Sequence, residues 1–210
     1  MTVALPAAPA AQSASPWVQR WARLAPAGCD ALDVACGSGR HTRWLHEAGY
    51  RVHAVDRDAG AVASLQAWLA ARAPGAEARI RCHDIEQQPW PFAGHALGLI
   101  VVTHYLWRPL LPTLTAALAP GGALIYETFT LAQAGIGKPS NPDFLLRPGE
   151  LLDVAASAGL HVVAYEDGYL PDASPQLGRG RFIQRIAAVN ARYGDMSGSG
   201  IGEPPRHPLL

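Results

Sequence analysis

Three aspartates mark the places in this sequence where chemistry is predicted most directly, because each lies in or at the end of a short apolar run. Asp33 lies inside a run that leads into the turn Gly37-Ser-Gly39, and Asp56 and Asp84 end the next two runs. Two glycines allow a sharp turn that a ligand can approach without meeting a Cβ atom, and the helix that follows offers free N–H groups. Asp33 is therefore expected to bind a positively charged group, directly or through water.

The other two aspartates each have two possible roles. The carboxylate of Asp56 can accept two hydrogen bonds, which suits the 2′ and 3′ hydroxyls of a ribose. Alternatively it is a solvated cap of the next helix, a role that Asp58 could supply instead. Asp84 can accept from the exocyclic amine of adenine while Ile85 packs on the ring face, or it is an ordinary turn residue.

The elements that must position these residues alternate along the chain between strand and helix patterns. Strand, helix, strand order of this kind predicts an α/β fold with a doubly wound, mostly parallel, Rossmann-like sheet of seven strands and helices on both faces. Ligands of such sheets bind outside the carboxyl ends of the strands. We predict one domain over residues 15–193 between flexible segments at 1–14 and 194–210, with strands at 31–36, 51–56, 78–84, 97–103, 123–129, 161–165 and 182–189.

Composition narrows the classes of partner. The 17 basic and 17 acidic side chains give no net charge, which disfavours a nucleic acid surface. Apolar runs are too short for a membrane helix, and the first residues lack the pattern of a secretory signal. The three cysteines, Cys29, Cys36 and Cys82, form neither a disulfide framework nor a zinc pattern, so no metal site is predicted and a reducing cytoplasm is expected.

The strand ends together resemble the class I S-adenosylmethionine-dependent methyltransferases. The matching motifs are Asp33-x-Ala35-x-Gly37-x-Gly39, Val55-Asp56, His83-Asp84-Ile85 and the turn within Leu118-Ala-Pro-Gly-Gly-Ala-Leu-Ile125. A narrower similarity is to small bacterial enzymes of the tellurite-resistance and thiopurine-methyltransferase type. The resemblance implies S-adenosylmethionine as cofactor, with Gly37 and Gly39 near its amino-acid part, Asp56 at the ribose, Asp84 and Ile85 at the adenine, and an antiparallel last strand. Asp33 and Ala35, which belong to the same motif, are also predicted to bind the cofactor.

Methyl transfer from a sulfonium is an in-line displacement, so such an enzyme mainly aligns a small-molecule acceptor and excludes water. His104, which follows the fourth strand, is a candidate base with a pKa near neutral, or else a packing residue. Tyr105 is expected to wall the acceptor pocket, or to pack beneath a loop. Glu127 would hold a cationic acceptor or pair with an arginine. The irregular segment 131–148 is a candidate lid, seated by Phe144 and its two following leucines.

Other functions compete with this one. A nicotinamide-dependent oxidoreductase would also use a glycine turn, but Thr42 stands where its third glycine is expected, and Asp33 interrupts the apolar strand. RNA or protein acceptors and a non-catalytic cofactor-binding role are the remaining alternatives. Trp17 and Trp21 either close the cofactor pocket or make a plain hydrophobic contact.

Overall fold

The fold is a single seven-stranded sheet with helices, seen in a computed structural model that describes residues 13–172 and 180–191. The strands are β1 (Asp30–Val34), β2 (Arg51–Asp56), β3 (Ile80–Cys82), β4 (Leu97–Thr103), β5 (Leu118–Phe129), β6 (His161–Leu170) and β7 (Arg181–Val189). The α-helices are α1 (Pro16–Trp21), α2 (Arg40–Glu47), α3 (Ala59–Ala70), α4 (Leu111–Ala116) and α5 (Glu150–Ser157). Short 3₁₀ turns lie at Ala22–Leu24, Ala76–Arg79, Arg108–Leu110, Leu131–Gly135 and Pro142–Phe144.

Strand order across the sheet is β3-β2-β1-β4-β5-β7-β6. The strands from β1 to β5 pair in parallel, whereas β7 runs antiparallel to both β5 and β6. This confirms the predicted mostly parallel sheet of seven strands with an antiparallel last strand. The order reverses between β1 and β4, and the crevice at that point is where this class of sheet binds ligands.

Apolar side chains pack against both faces of the sheet. In β4, Ile100 and Val102 join a core cluster that includes Leu114 of α4 and Leu151 of α5. The alternate β4 residues Leu99 and Val101 join a second cluster, with side chains from α1 and α2. Because side chains alternate between the faces of a strand, these two clusters lie on opposite sides of β4.

The two tryptophans of α1 belong to the second cluster. Trp17 and Trp21 are both buried, and the indole N–H of Trp17 donates to the carbonyl of Ile186 at 3.3 Å. Neither side chain lines the cavity at the carboxyl ends of the strands, so the plain hydrophobic contact is the role that the structure supports. The alternative in which they close the cofactor pocket stays a prediction.

The bounds of several strands differ from the predicted ones, and β1 ends at Val34 rather than at residue 36. β5 begins at Leu118 rather than at residue 123 and continues through Gly121 and Gly122. The backbone there is held by Asn190, whose carbonyl accepts from the N–H of Gly121 and whose backbone N–H donates to the carbonyl of Gly122, so the glycines form an irregular part of the strand. β6 extends to Leu170 because it pairs along β7, and β3 is reduced to three residues.

Among the described residues no helix is both long and apolar enough to cross a bilayer. The flexible segments predicted at 1–14 and 194–210 lie outside the described residues except for Ser13 and Ala14, and Ala14 is buried.

Candidate functional site

A cavity of about 370 Å³ lies at the carboxyl ends of β1 to β5, beside the reversal in strand order. Its size falls within the range of roughly 300–1,000 Å³ that is common for small-molecule sites. Six predicted site residues share this cavity: Ala35, Asp56, Asp84, Ile85, His104 and Tyr105. The other lining residues are Arg57, His83, Glu86, Leu106, Phe129, Pro139 and Phe144.

Asp56, the last residue of β2, fixes the glycine turn after the neighbouring strand β1 by a direct hydrogen bond. Its Oδ2 accepts from the backbone N–H of Gly37 at 2.7 Å, and its Oδ1 accepts from that of Asp58 at 2.9 Å. Asp58 itself caps α3 by accepting from the backbone N–H groups of Gly60 and Ala61. A carboxylate has about four acceptor positions, so Asp56 retains capacity for further hydrogen bonds from a ligand.

The turn after β3 is organised by its own side chains. Asp84 Oδ1 accepts from the backbone N–H of Glu86 at 2.9 Å, and the backbone N–H of Asp84 donates to Gln88 Oε1 at 3.1 Å. The turn role considered for Asp84 is therefore observed, and its adenine role stays a prediction. Ile85 is partly buried against the core and also faces the cavity.

Asp33 is buried beneath the glycine turn rather than in the cavity wall. Its Oδ2 accepts from both the backbone N–H and the hydroxyl of Thr42, at 2.9 and 2.6 Å. Desolvation by burial raises the pKa of Asp33 to about 6 despite those hydrogen bonds. Thr42 therefore occupies the third position of the motif as the partner of Asp33, and the role of Asp33 toward a cofactor stays a prediction.

The two motif glycines have different surroundings, and neither lines the cavity. Gly39 has a φ of +78°, and a Cβ atom there would lie 2.5 Å from Leu65 Cδ1 of α3. Gly37 has a φ of +51° with no atom within 4 Å of such a Cβ. Packing against α3 thus explains Gly39, whereas the approach of both glycines to a cofactor stays a prediction.

His104 stands directly after β4 in a left-handed backbone conformation, with a φ of +54°. Its backbone N–H donates to the backbone carbonyl of Glu127 at 2.9 Å. Its ring stacks on that of Phe129, with centroids 4.9 Å apart and planes at 28°. Desolvation, and secondarily the positive charge of Arg40, lower the pKa of His104 to about 4. The expected pKa near neutral is therefore wrong, because the surroundings disfavour the imidazolium.

Tyr105 connects the turn after β3 with β5. Its hydroxyl donates to Glu86 Oε1 at 3.2 Å, and its carbonyl accepts from the hydroxyl of Tyr126 at 2.9 Å. Desolvation and the neighbouring charge of Glu86 raise the pKa of the Tyr105 phenol. The phenol therefore stays protonated and hydrogen-bonded to Glu86, so Tyr105 is suited to form a wall of the cavity.

Glu127 is almost fully buried below the cavity, in β5. It accepts from the hydroxyl of Ser15 at 3.1 Å and pairs with Arg185 at 3.3 Å. Ser15 also donates its backbone N–H to Nε2 of His41, whose Nδ1 lies 3.3 Å from the hydroxyl of Thr103. The arginine pairing considered for Glu127 is the observed one. Glu127 is absent from the cavity wall, and the role in holding a cationic acceptor stays a prediction.

The segment 131–148 reaches the cavity through Pro139 and Phe144, and its role as a lid stays a prediction. Leu145 and Leu146 are fully buried, as expected for residues that seat the segment, but Phe144 is 47% exposed and lines the cavity instead. From the sequence, Phe144 was expected to be buried together with the two leucines. The segment has no regular hydrophobic period, so the sequence does not show which of the three side chains faces the interior.

Sequence reasoning also missed several lining residues. Phe129 is the last residue of β5, so the rule that ligands lie beyond strand ends could have found it. Arg57 and Glu86 directly follow predicted site residues, and spacing along the strand ends could have indicated both. Nothing in the local sequence indicates Pro139, because it reaches the cavity from a segment without regular structure.

Comparisons with known proteins agree with this architecture. Residues 31–122, somewhat under half of the chain, match a family model described as a methyltransferase domain. No curated protein sequence matches the chain.

Solved structures with the same fold extend the similarity beyond that region. TehB from Haemophilus influenzae is similar at a TM-score of 0.62 and 17% identity over 82% of this chain, which spans 60% of the TehB chain. An S-adenosylmethionine-dependent methyltransferase from Mesorhizobium loti has a TM-score of 0.59 and 20% identity, covering 81% of this chain and 96% of its own. The glycopeptide N-methyltransferase MtfA, complexed with sinefungin, has a TM-score of 0.55 and 20% identity, covering 86% and 87% of the two chains.

These similarities agree with the strand-end motifs, the sheet order and the position of the cavity. The cofactor that they indicate is S-adenosylmethionine. Residues 31–122 match a methyltransferase domain, and in motifs and fold the chain is similar to the class I S-adenosylmethionine-dependent methyltransferases.

Proposed function

We propose that the protein is an S-adenosylmethionine-dependent methyltransferase that transfers the methyl group to a small-molecule acceptor by in-line displacement. The observation that carries the proposal is one continuous cavity with polar strand ends on one side and aromatic side chains on the other. Asp56, Asp84 and Ile85 lie on the first side, and His104, Phe129 and Phe144 on the second.

The polar end fits the nucleoside part of the cofactor. Asp56 is partly buried, is held by two backbone N–H groups, and has acceptor capacity left for the ribose hydroxyls. Asp84 would accept from the exocyclic amine of adenine, and Ile85 would pack on its ring face. Three carboxylates (Asp56, Asp84 and Glu86) against one guanidinium (Arg57) line the cavity, which favours a molecule with a positive charge.

The bound cofactor supplies a methyl group on a positively charged sulfur, from which the acceptor displaces a neutral thioether. The protein's contribution is to align the acceptor and to keep water away from the sulfonium. Phe129 and Phe144 provide an apolar surface at that end, and the segment 131–148 would act as the lid. The three cysteines are all unpaired, which supports the predicted reducing compartment.

Calorimetric titration with sinefungin tests the cofactor assignment in the absence of any acceptor. We expect wild-type protein to bind sinefungin and Asp56→Asn to bind it at least fivefold more weakly, because an amide has one acceptor oxygen instead of two. Asp58→Asn is the matched control, since Asp58 caps α3 and does not line the cavity. Binding of a nicotinamide dinucleotide in place of sinefungin would reverse the proposal, and equal affinities of the two variants would refute the ribose role of Asp56.

A further inference from the structure

Charge is distributed unevenly around the cavity. The acidic and basic lining residues Asp56, Arg57, Asp84 and Glu86 all lie at the end of β2 or after β3, at the nucleoside end. The lining residues contributed by β4, β5 and the segment after β5 carry no formal charge when His104 is neutral; they are His104, Tyr105, Leu106, Phe129, Pro139 and Phe144. Among the lining residues that the structure describes, the acceptor end therefore offers no ion pair to a charged acceptor.

The same end presents flat surfaces. The imidazole of His104 lies nearly parallel to the ring of Phe129, so the two rings form one stacked unit at the cavity wall. Phe144 adds a third ring from the segment above, and nearly half of its surface is open to solvent. Aromatic rings in such an arrangement bind other flat, unsaturated rings by offset or edge contacts.

Phe144 is held in place by residues outside the cavity. The guanidinium of Arg108 donates to the carbonyls of Asp143 and Leu145, at 2.9 and 2.8 Å, and so fixes the backbone on both sides of Phe144. Leu145 is fully buried as the next residue. The backbone that carries Phe144 is thus held in place, which keeps its ring at this part of the wall.

The acceptor end lacks an oriented general base among the described residues. The hydroxyl of Tyr105 donates to Glu86, and no carboxylate is hydrogen-bonded to the imidazole of His104. The charges of Arg40 and Arg181, which lie outside the lining, lower the pKa of His104, whereas the charge of Glu127 raises it. Glu127 already accepts a hydrogen bond from Ser15 and forms an ion pair with Arg185. A nucleophile that must lose a proton during attack would find no positioned acceptor for it.

We propose that the acceptor is an uncharged, flat heteroaromatic base that binds between the stacked His104 and Phe129 rings and Phe144, and attacks through a ring nitrogen bearing a lone pair and no proton. This inference rests on the proposed function and deepens it. The nitrogen lone pair forms the N–CH₃ bond while the S–CH₃ bond breaks with its electron pair going to sulfur. The positive charge passes from sulfur to nitrogen, so the step consumes and releases no proton.

The test compares flat probes of similar size with radiolabelled S-adenosylmethionine at pH 7.5. Quinoline carries the lone pair without a proton, 2-naphthol must lose a proton, and 2-naphthoate is an anion. We expect N-methylquinolinium to be the main product by mass spectrometry, with turnover at least tenfold above the other two. Proton release in a weakly buffered assay should stay at the level of a reaction without quinoline.

Two variants of Phe144 test whether its ring contributes to the binding of quinoline. Phe144→Ala should raise KM for quinoline about tenfold with little change in kcat, and Phe144→Leu, which keeps bulk without a flat ring, should be intermediate. Leu152→Ala is the matched control, because Leu152 is another exposed apolar residue, on α5 and away from the cavity. Quinoline affinity for sinefungin-loaded protein, measured by calorimetry, should fall in the same order as 1/KM.

The outcomes separate this inference from the proposed function. Absence of sinefungin binding would refute the proposed function itself. With sinefungin bound, absence of quinoline turnover, preference for 2-naphthol or 2-naphthoate, or unchanged KM in Phe144→Ala would each overturn the proposed acceptor class and leave the cofactor assignment standing.

Discussion

Arg108 and Glu150 form a two-pronged ion pair, with Nε to Oε1 at 2.7 Å and Nη2 to Oε2 at 2.9 Å. The carboxylate is 5% exposed and begins α5, and it also accepts from the backbone N–H of Arg147 at 2.8 Å. Burial alone would raise the pKa of Glu150, but the hydrogen bonds from Arg108 and Arg147 lower it. The pair therefore joins the 3₁₀ turn Arg108–Leu110 to the first residue of α5, which directly follows the segment that carries Phe144.

We expect Arg108→Lys to loosen that segment, because an ammonium cannot make both carboxylate bonds and both carbonyl bonds. The loss should be about 2–4 kcal/mol in the free energy of unfolding, since Glu150 would keep a buried and poorly paired charge. Hydrogen exchange should become faster at residues 143–146 while sinefungin affinity changes little. Arg147→Lys is the matched control, because that side chain is 69% exposed and its loss should cost under about 1 kcal/mol. Equal exchange rates in Arg108→Lys and wild type would show that Arg108 does not hold residues 143–146 in place.

Asp33 should make stability depend on pH in a direction unusual for a carboxylate. Its pKa is about 6 in the folded protein and near 3.8 when unfolded, so between those values the folded state binds more protons. The contribution of Asp33 to stability is therefore present at pH 4 and lost as pH rises through 6, by up to about 3 kcal/mol.

The difference between Asp33→Asn and wild type isolates this contribution, because the buried histidines titrate equally in both proteins. An asparagine oxygen can still accept from the two Thr42 donors, so the variant should gain stability relative to wild type between pH 4 and pH 7. Urea denaturation at four pH values measures the gain. A stability difference that does not vary with pH would show that Asp33 does not have a raised pKa.

Gly37 and Gly39 offer a matched pair of substitutions within one turn. Both have a positive φ, so alanine at either position should cost about 1–2 kcal/mol of backbone strain. Only Gly39→Ala adds a clash, because its Cβ would lie 2.5 and 2.6 Å from the two Cδ atoms of Leu65. Thermal unfolding should place Gly39→Ala below Gly37→Ala. The reverse order would mean that packing against α3 does not fix Gly39.

His104 should titrate well below neutral pH. Since its pKa is about 4, the ring is neutral from pH 5.5 upwards and its imidazole resonances should not move between pH 6 and pH 8. NMR titration measures this, with the resonances assigned by their loss in His104→Gln. The linked contribution to stability is present above pH 6.5 and lost as pH falls toward 4, opposite in sign to that of Asp33. A titration midpoint near 6.5 would restore His104 as a candidate base.

Local patterns were sufficient for most of the sheet and for the cavity residues at the ends of β2 and β4. The apolar runs that give these two strands end where Asp56 and His104 were expected, whereas β1, predicted to continue to residue 36, ends at Val34. The doubly wound description of the fold stays a prediction. The acceptor end depended on contacts between distant segments, such as Arg108 with residues 143–145, which no periodicity encodes.

Burial also changed the chemistry of residues that were correctly placed. His104 lies where it was expected, at the end of β4, but its altered pKa comes from desolvation and from Arg40, a neighbour only in the folded chain. Asp33 likewise lies in β1 as expected, and its hydrogen bonds to Thr42 arise because α2 packs its first turn over the strand end.

The position of β7 between β5 and β6 has a consequence for how the chain is made. β6 leaves the ribosome before β7, yet its only neighbour in the sheet is β7. Until β7 has been translated, the edge of β5 is open and β6 has no partner among the described strands, so both can pair with other chains. Synthesis of this protein should therefore produce, before β7 emerges, a nascent chain with two unpaired strands that chaperones would need to shield.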